Sequence, residues 1–263
     1  MAAVVWICEP PKFLFQNLRR VEIQSANSCV LLINMPGDGL MLTHLSIADQ
    51  LKTVQSFSIL TKAPATFEAI YDLDEILRRT DLSTISIEYL KAQPGVAAMI
   101  EERYLAPVPN LTELLTYPQE SLGYQFAHHL VINQFDPEFY RQREVKDDIS
   151  YITLRRSQTH DIHHVVTGFG TDLGGELGLQ AFQLAQMRSP IAIAILTAGL
   201  IHVLAEPQQL NDHMQRIFQG WEMGLKAAPL MAEKWEEHWE KPLAQWQSEL
   251  GLTPTYTHLD IAA

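Results

Sequence analysis

"THDIHHVVTGFGTDLGGE", residues 159–176, sets three of the chain's ten histidines within five positions and then runs through glycines to a carboxylate. His160 and His164 are four apart, so on an α-helix they share one face about 6 Å apart. Asp161 sits about 100° round from His160, within reach of the same site or of a ring N–H that it can orient. His163 points off that face. Two neutral imidazoles with carboxylates suit Zn²⁺, Fe²⁺ or Mn²⁺ better than Ca²⁺, which takes oxygen ligands. Glu176 lies twelve residues beyond His164, roughly 18 Å along a continuous helix and too far to share an ion. Gly168, Gly170, Gly174, Gly175 and Gly178 permit a sharp turn followed by close helix contact. The segment therefore predicts a helix-break-helix hairpin that folds Glu176 back onto the His160/His164 face. The plain alternative is a polar helix end and a loose turn, since His pairs at this spacing often hold no ion.

Outward from the hairpin, the periodicity is helical almost throughout. "DDISYITLRRSQTHDIHHVVTG" (147–168) spreads Ile149, Ile152, Leu154, Ile162, Val165 and Val166 around one helix, with Asp147 or Asp148 as its N-cap. Thr171 or Asp172 caps a second helix that Ser189-Pro190 stops. A helix starts near Ser121 and buries Leu122, Phe126, His129 or Leu130, and Ile132. Further helices are predicted over 191–205, from about 208 to 225, and in the segment 231–251. Upstream, "FLFQNLRRVEI" (13–23) and "ATFEAIYDLDEILRRTD" (65–81) are amphipathic, the latter with Phe67, Ile70, Leu73, Ile76 and Leu77 at helical spacing. "SCVLLINMPGDGLMLTHL" (28–45) reads as a strand and turn or as a short helix, and the helical reading follows the rest of the chain. No repeat or linker divides the sequence. The expectation is an all-α chain: one mostly helical domain over 1–263.

Composition narrows the function. The 263 residues carry a formal charge of -12, which argues against phosphate-driven nucleic-acid binding. Only two cysteines occur, Cys8 and Cys29, so neither a disulfide framework nor a thiolate metal site is expected. The N-terminus lacks a basic region and is interrupted by Glu9-Pro10-Pro11, so no signal or transit peptide is evident and a cytoplasmic location is expected. "SPIAIAILTAGLIHVLAEP" (189–207) contains His202 and falls short of the roughly 20 apolar residues a spanning helix needs; a buried core helix is expected. Trp235, Trp239 and Trp246 read as core or dimer contacts, because the glutamates between them oppose an anionic lipid surface. "GFGTDLGG" follows a helix rather than a strand, which removes a dinucleotide reading.

The polar pattern resembles the signature of the coenzyme Q (ubiquinone) biosynthesis protein 4 family: H-D-x-x-H, eleven residues, then E, with a glycine just before the glutamate. His160, Asp161, His164 and Glu176 match in identity and spacing, as do Gly168 and Gly175. "SLGYQFAHHL" (121–130) is similar to an upstream Leu-Gly-x-x-Tyr/Phe segment, and "WEEHWEKPLAQWQSELGLTP" (235–254) to the family's C-terminal segment. The likeness covers about 110–255, with residues 1–110 an N-terminal helical part without a dependable match. Gln158 stands where an acid is common, and Gln180 where a lysine often follows the glutamate.

The resemblance implies an all-α protein of quinone biosynthesis that works at a membrane surface. It implies a divalent metal, zinc foremost with iron or magnesium as alternatives, on His160, Asp161, His164 and Glu176, the same four serving as the catalytic set. It further implies a polyprenyl lipid or prenylated head-group precursor in an apolar crevice, association with other quinone-biosynthesis proteins, and a homodimer. Two activities go with it: oxidative decarboxylation or hydroxylation of a prenylated ring, or a non-catalytic lipid-binding scaffold. The His-Asp pair also raises a phosphohydrolase of the HD type, for which His44, His128, His129 and Asp212 are loose candidates as further ligands.

Overall fold

A computed structural model describes residues 45–140 and 142–254. The predicted helix at 13–23, nearly all of the 28–45 stretch, Cys8, Cys29 and His44 lie outside them. The described residues form twelve α-helices and no strand. In chain order these are α1 (Ile47–Lys62), α2 (Phe67–Leu77), α3 (Asp81–Lys91), α4 (Pro94–Glu102), α5 (Leu111–Leu114) and α6 (Leu122–Asn133). Then follow α7 (Asp148–Gln158), α8 (His160–Thr167), α9 (Leu173–Met187), α10 (Pro190–Val203), α11 (Leu210–Lys226) and α12 (Leu243–Leu250).

Helix starts follow short polar side chains that accept from orphan backbone N–H groups. Ser121 accepts from the Tyr124 amide, and Asp172 from that of Gly175. Asp147 accepts from Ser150, whose side chain reciprocates in a capping box. Pro190 opens α10 at a position where its missing N–H costs nothing. The single helix expected across 147–167 is two, divided at Thr159 (φ -99, ψ 2). The Thr159 hydroxyl donates to the Arg155 carbonyl at 3.0 Å, a competing local bond of the kind that bends helices.

α9 is the centre of the bundle. From Leu177 to Met187 all its residues but Leu184 are buried. It packs against α11 where a Cβ at Gly220 would stand 2.0 Å from the Gly178 carbonyl oxygen, so the two backbones nearly touch. The main core joins Leu122, Phe126 and Leu130 of α6, Val165 and Val166 of α8, and Phe182 of α9 with Trp235 and Trp246. A second cluster joins Leu90, Val96, Ile100, Tyr151 and Met187, and a third joins α1 and α2 to α10 through Leu60, Leu73 and Ile191.

Three expectations change. Phe67 and Ile132 are 51% and 56% exposed; Leu73 and Ile76, and Phe126 with Leu130, already fill the buried faces of their helices. α10 is half-covered rather than buried all round: α9 and α1–α2 take one side, leaving Ile193 and Ile201 about half exposed. Trp235 opens a 3₁₀ turn, Trp235–Glu237, rather than a helix. Its core role holds, with Trp235 against Trp246 and Trp239 stacked on Phe126. That turn is locked to α7 by Arg155, which donates to both Glu236 carboxylate oxygens at 2.6 and 2.9 Å and to the Glu233 carbonyl at 3.0 Å. No helix among the described residues is long and apolar enough to cross a membrane.

Candidate metal centre

α8 ends at Gly168, whose backbone is left-handed (φ 78), a conformation that favours glycine. The reversal is then fixed from both sides. The Phe169 ring is buried in the core, and its carbonyl faces back to His164 Nδ1 at 2.9 Å. Asp172 starts α9, and a Cβ at Gly175 would fall 2.1 Å from the Gly170 carbonyl oxygen. Only glycine lets the first turn of α9 close onto the break. The predicted fold-back of Glu176 is therefore present.

The reversal brings Glu176 Oε1 to 3.2 Å from His164 Nε2 and Oε2 to 3.8 Å from His160 Nε2. The two Nε2 atoms are 3.2 Å apart, their rings perpendicular. Asp161 joins them: ligand atoms of His160, Asp161 and His164 all lie within 4.8 Å of one another, a grouping that can hold a metal ion. His164 is fully buried, whereas Glu176 keeps 36% of its side chain exposed. The site thus has a closed floor and an open edge.

The donor set fits a cation. The Phe169 carbonyl can only accept, so His164 Nδ1 carries the proton and the neutral ring turns its Nε2 lone pair toward His160 and Glu176. A lone pair and a carboxylate converging on one point call for a proton or a metal between them. Burial alone would lower the His164 pKa, but Glu176 outweighs it, helped by Asp161 and the Phe169 carbonyl, and holds it above the usual histidine value. Burial pushes Glu176 up; His164 and His160 pull harder and hold it well below the usual carboxylate range. The same negative field that draws a proton onto His164 would draw a divalent cation in competition with it.

Two further side chains stand around this set. Gln183, two turns beyond Glu176 on α9, places Nε2 3.5 Å from His160 Nδ1, and His129 stacks its ring 6.0 Å from that of His164. The periodicity of α9 could have found Gln183, which falls on the Glu176 face. His163 is turned away as expected, its ring against Trp235 and both nitrogens buried without a hydrogen-bond partner among the described residues. Of the further candidates for an HD-type site, His129 lies beside His164, but His128 is exposed and stacked on Tyr124 and Asp212 pairs with Arg216; His44 lies outside the described residues.

A profile of the family described as Coenzyme Q (ubiquinone) biosynthesis protein Coq4 matches residues 48–255. The likeness therefore reaches upstream of residue 110. The chain is 26% identical over 224 residues to the mitochondrial ubiquinone biosynthesis protein COQ4 homolog of Bos taurus, covering 80% of this chain and 84% of that one. It is 30% identical over 184 residues to the mitochondrial ubiquinone biosynthesis protein COQ4 of Eremothecium gossypii, covering 68% of this chain and 53% of that protein. A crystal structure of a Nostoc punctiforme protein assigned to ubiquinone biosynthesis superposes with a TM-score of 0.70 at 32% identity, over 77% of this chain and 96% of that one.

Proposed function

Since this chain belongs to the coenzyme Q (ubiquinone) biosynthesis protein Coq4 family, we propose that it binds a prenylated quinone precursor beside a divalent cation held by His160, Asp161, His164 and Glu176. The observation that carries the reading is the convergence of two imidazole Nε2 atoms and the Glu176 carboxylate within 3.2–3.8 Å. Two imidazoles with two carboxylates favour zinc, with iron or magnesium as the alternatives. When bound, the ion supplies Lewis acidity and an anchor for a substrate oxygen.

The protein's own residues supply the rest. The buried His164, fixed by the Phe169 carbonyl, sets the floor, and Glu176 stands at the open edge where a head group enters. The outer face of α10 supports the lipid part of the reading. Ile193, Ile201 and Leu204 follow one another at helical spacing, 51%, 45% and 66% exposed. α1 repeats the pattern with Ile47, Leu51 and Val54, all more than 60% exposed. Such faces suit a prenyl chain, a membrane surface or a second copy of the chain, and with them go peripheral membrane attachment, a homodimer and contact with other quinone-biosynthesis proteins.

The test is native mass spectrometry with metal analysis on the full chain purified without added metal, followed by lipid extraction. One metal per chain and a co-purifying prenyl lipid are expected, the metal lost in His164→Ala and Glu176→Gln. Metal-free, lipid-free wild-type protein that takes up neither on addition would sink the reading. Turnover of a prenylated aromatic acid by the loaded protein separates the enzyme from the scaffold.

A further inference from the structure

A second polar cluster lies where α2, α3, α7 and the start of α10 meet, lined by none of the four residues above. At its centre Asp74, 5% exposed, faces three guanidinium groups. Arg156 donates to Asp74 Oδ1 at 2.8 Å and to the Ser189 hydroxyl at 3.1 Å. Arg78 Nε and Arg143 Nη2 both stand 3.6 Å from Asp74 Oδ2, beyond hydrogen-bond reach. Arg78 Nε is buried and has no hydrogen-bond partner among the described residues. Ser189 accepts from Arg156, and its own hydroxyl hydrogen has no acceptor among those residues.

Charge and donors are thus both in excess. Among the described residues one carboxylate contacts three cations. Glu75 and Asp147 act on Arg143 and Arg78 at longer range, but Glu75 is exposed, and Asp147 is engaged in capping α7. A buried donor left without an acceptor costs about 1–3 kcal/mol, so what is missing is an acceptor carrying negative charge. Burial, then the neighbouring Arg78, holds the Arg143 pKa below its usual value, against the opposing pull of Asp74.

The recess measures about 30 Å³ and has apolar walls from Leu77, Ile87, Ile152 and Ile191. That is room for roughly two waters or for one small anion. We propose that Arg78, Arg156 and Ser189, which line this recess beside Asp74, form a binding site for a small monovalent inorganic anion such as chloride, with Arg143 adding positive charge through Asp74. The anion completes the guanidinium cluster and ties α2 and α7 to the start of α10.

The test is chlorine magnetic-resonance line broadening on the full chain in sodium chloride with chelator present, which keeps metal-bound chloride out of the signal. Wild-type protein broadens the line. Binding is about tenfold weaker in Arg78→Gln, the order that one hydrogen bond to a charged group carries. Should Arg78→Gln not fold by circular dichroism, Ser189→Ala removes only the hydroxyl donor and weakens binding several-fold. No broadening by wild type, or equal broadening by wild type and the folded variants, would overturn the site.

Discussion

His164 Nδ1 sits 2.9 Å from the carbonyl oxygen of Phe169, five residues along the chain and across the glycine break. This bond ties the shape of the turn to the protonation of the ring. While the turn holds, Nε2 is the atom offered to Glu176 and His160, and the side chain of Phe169 is anchored in the core on the opposite side.

Replacing Glu176 by Gln removes one charged ligand from the open edge and leaves the core untouched. Metal affinity measured by calorimetric titration is expected to fall at least ~100-fold, more than the loss of a supporting partner costs, while the thermal midpoint of the metal-free protein stays within a few degrees. Affinity in the wild type should also weaken as pH falls. Because Glu176 raises the His164 pKa, protons begin to compete above the ordinary histidine value of about 6.5.

Gly175→Ala should fail differently. Its Cβ would meet the Gly170 carbonyl oxygen at 2.1 Å, and backbone has no rotamer to escape into. Urea denaturation should show a loss of about 1–3 kcal/mol, the range for overpacking, together with weaker metal binding. Unchanged stability alongside lost metal would mean that the hairpin is held some other way.

His163→Leu puts an apolar group where both ring nitrogens are buried without partners. Removing polar atoms that folding cannot satisfy should leave stability unchanged or raise it by about 1 kcal/mol. Metal stoichiometry should be unaffected. A variant that loses its metal would make His163 part of the site after all.

Tyr151 carries an alkaline limit. Burial, opposed by Arg155 and Arg103, pushes its pKa up to about 12, and its hydroxyl donates to the Tyr104 carbonyl at 3.0 Å. The folded chain keeps the proton that the unfolded chain loses near pH 10. Its contribution is therefore fully present below about 10 and is lost as pH rises through about 12. Denaturation midpoints followed across that window should drop more steeply in wild type than in Tyr151→Phe, which itself should cost about 1 kcal/mol at neutral pH.

The hairpin was legible because its logic is local: residue spacing, the glycine break and Asp172 as a cap all act within a few turns. Helix existence was legible for the same reason. Which side each helix buries was less so. Phe67 and Ile132 sit on plausible apolar faces, yet partners elsewhere cover Leu73 and Ile76, and Phe126 and Leu130, instead. The division at Thr159 depends on one hydroxyl choosing the Arg155 carbonyl, and the Asp74 cluster joins residues from α2 to Ser189 that no periodicity connects. Pairings over such distances are set by tertiary packing, which a pattern of one helix does not contain.

The donors of the candidate metal centre all fall between residues 160 and 176, so the site has a kinetic consequence. A short segment closes at little entropic cost, and contacts of low sequence separation form early when a chain folds. The polar groups of this hairpin can meet before α11 packs on α9 and the C-terminal tryptophans join the core. An ion present during synthesis would then act as a folding nucleus rather than a late addition to a finished protein.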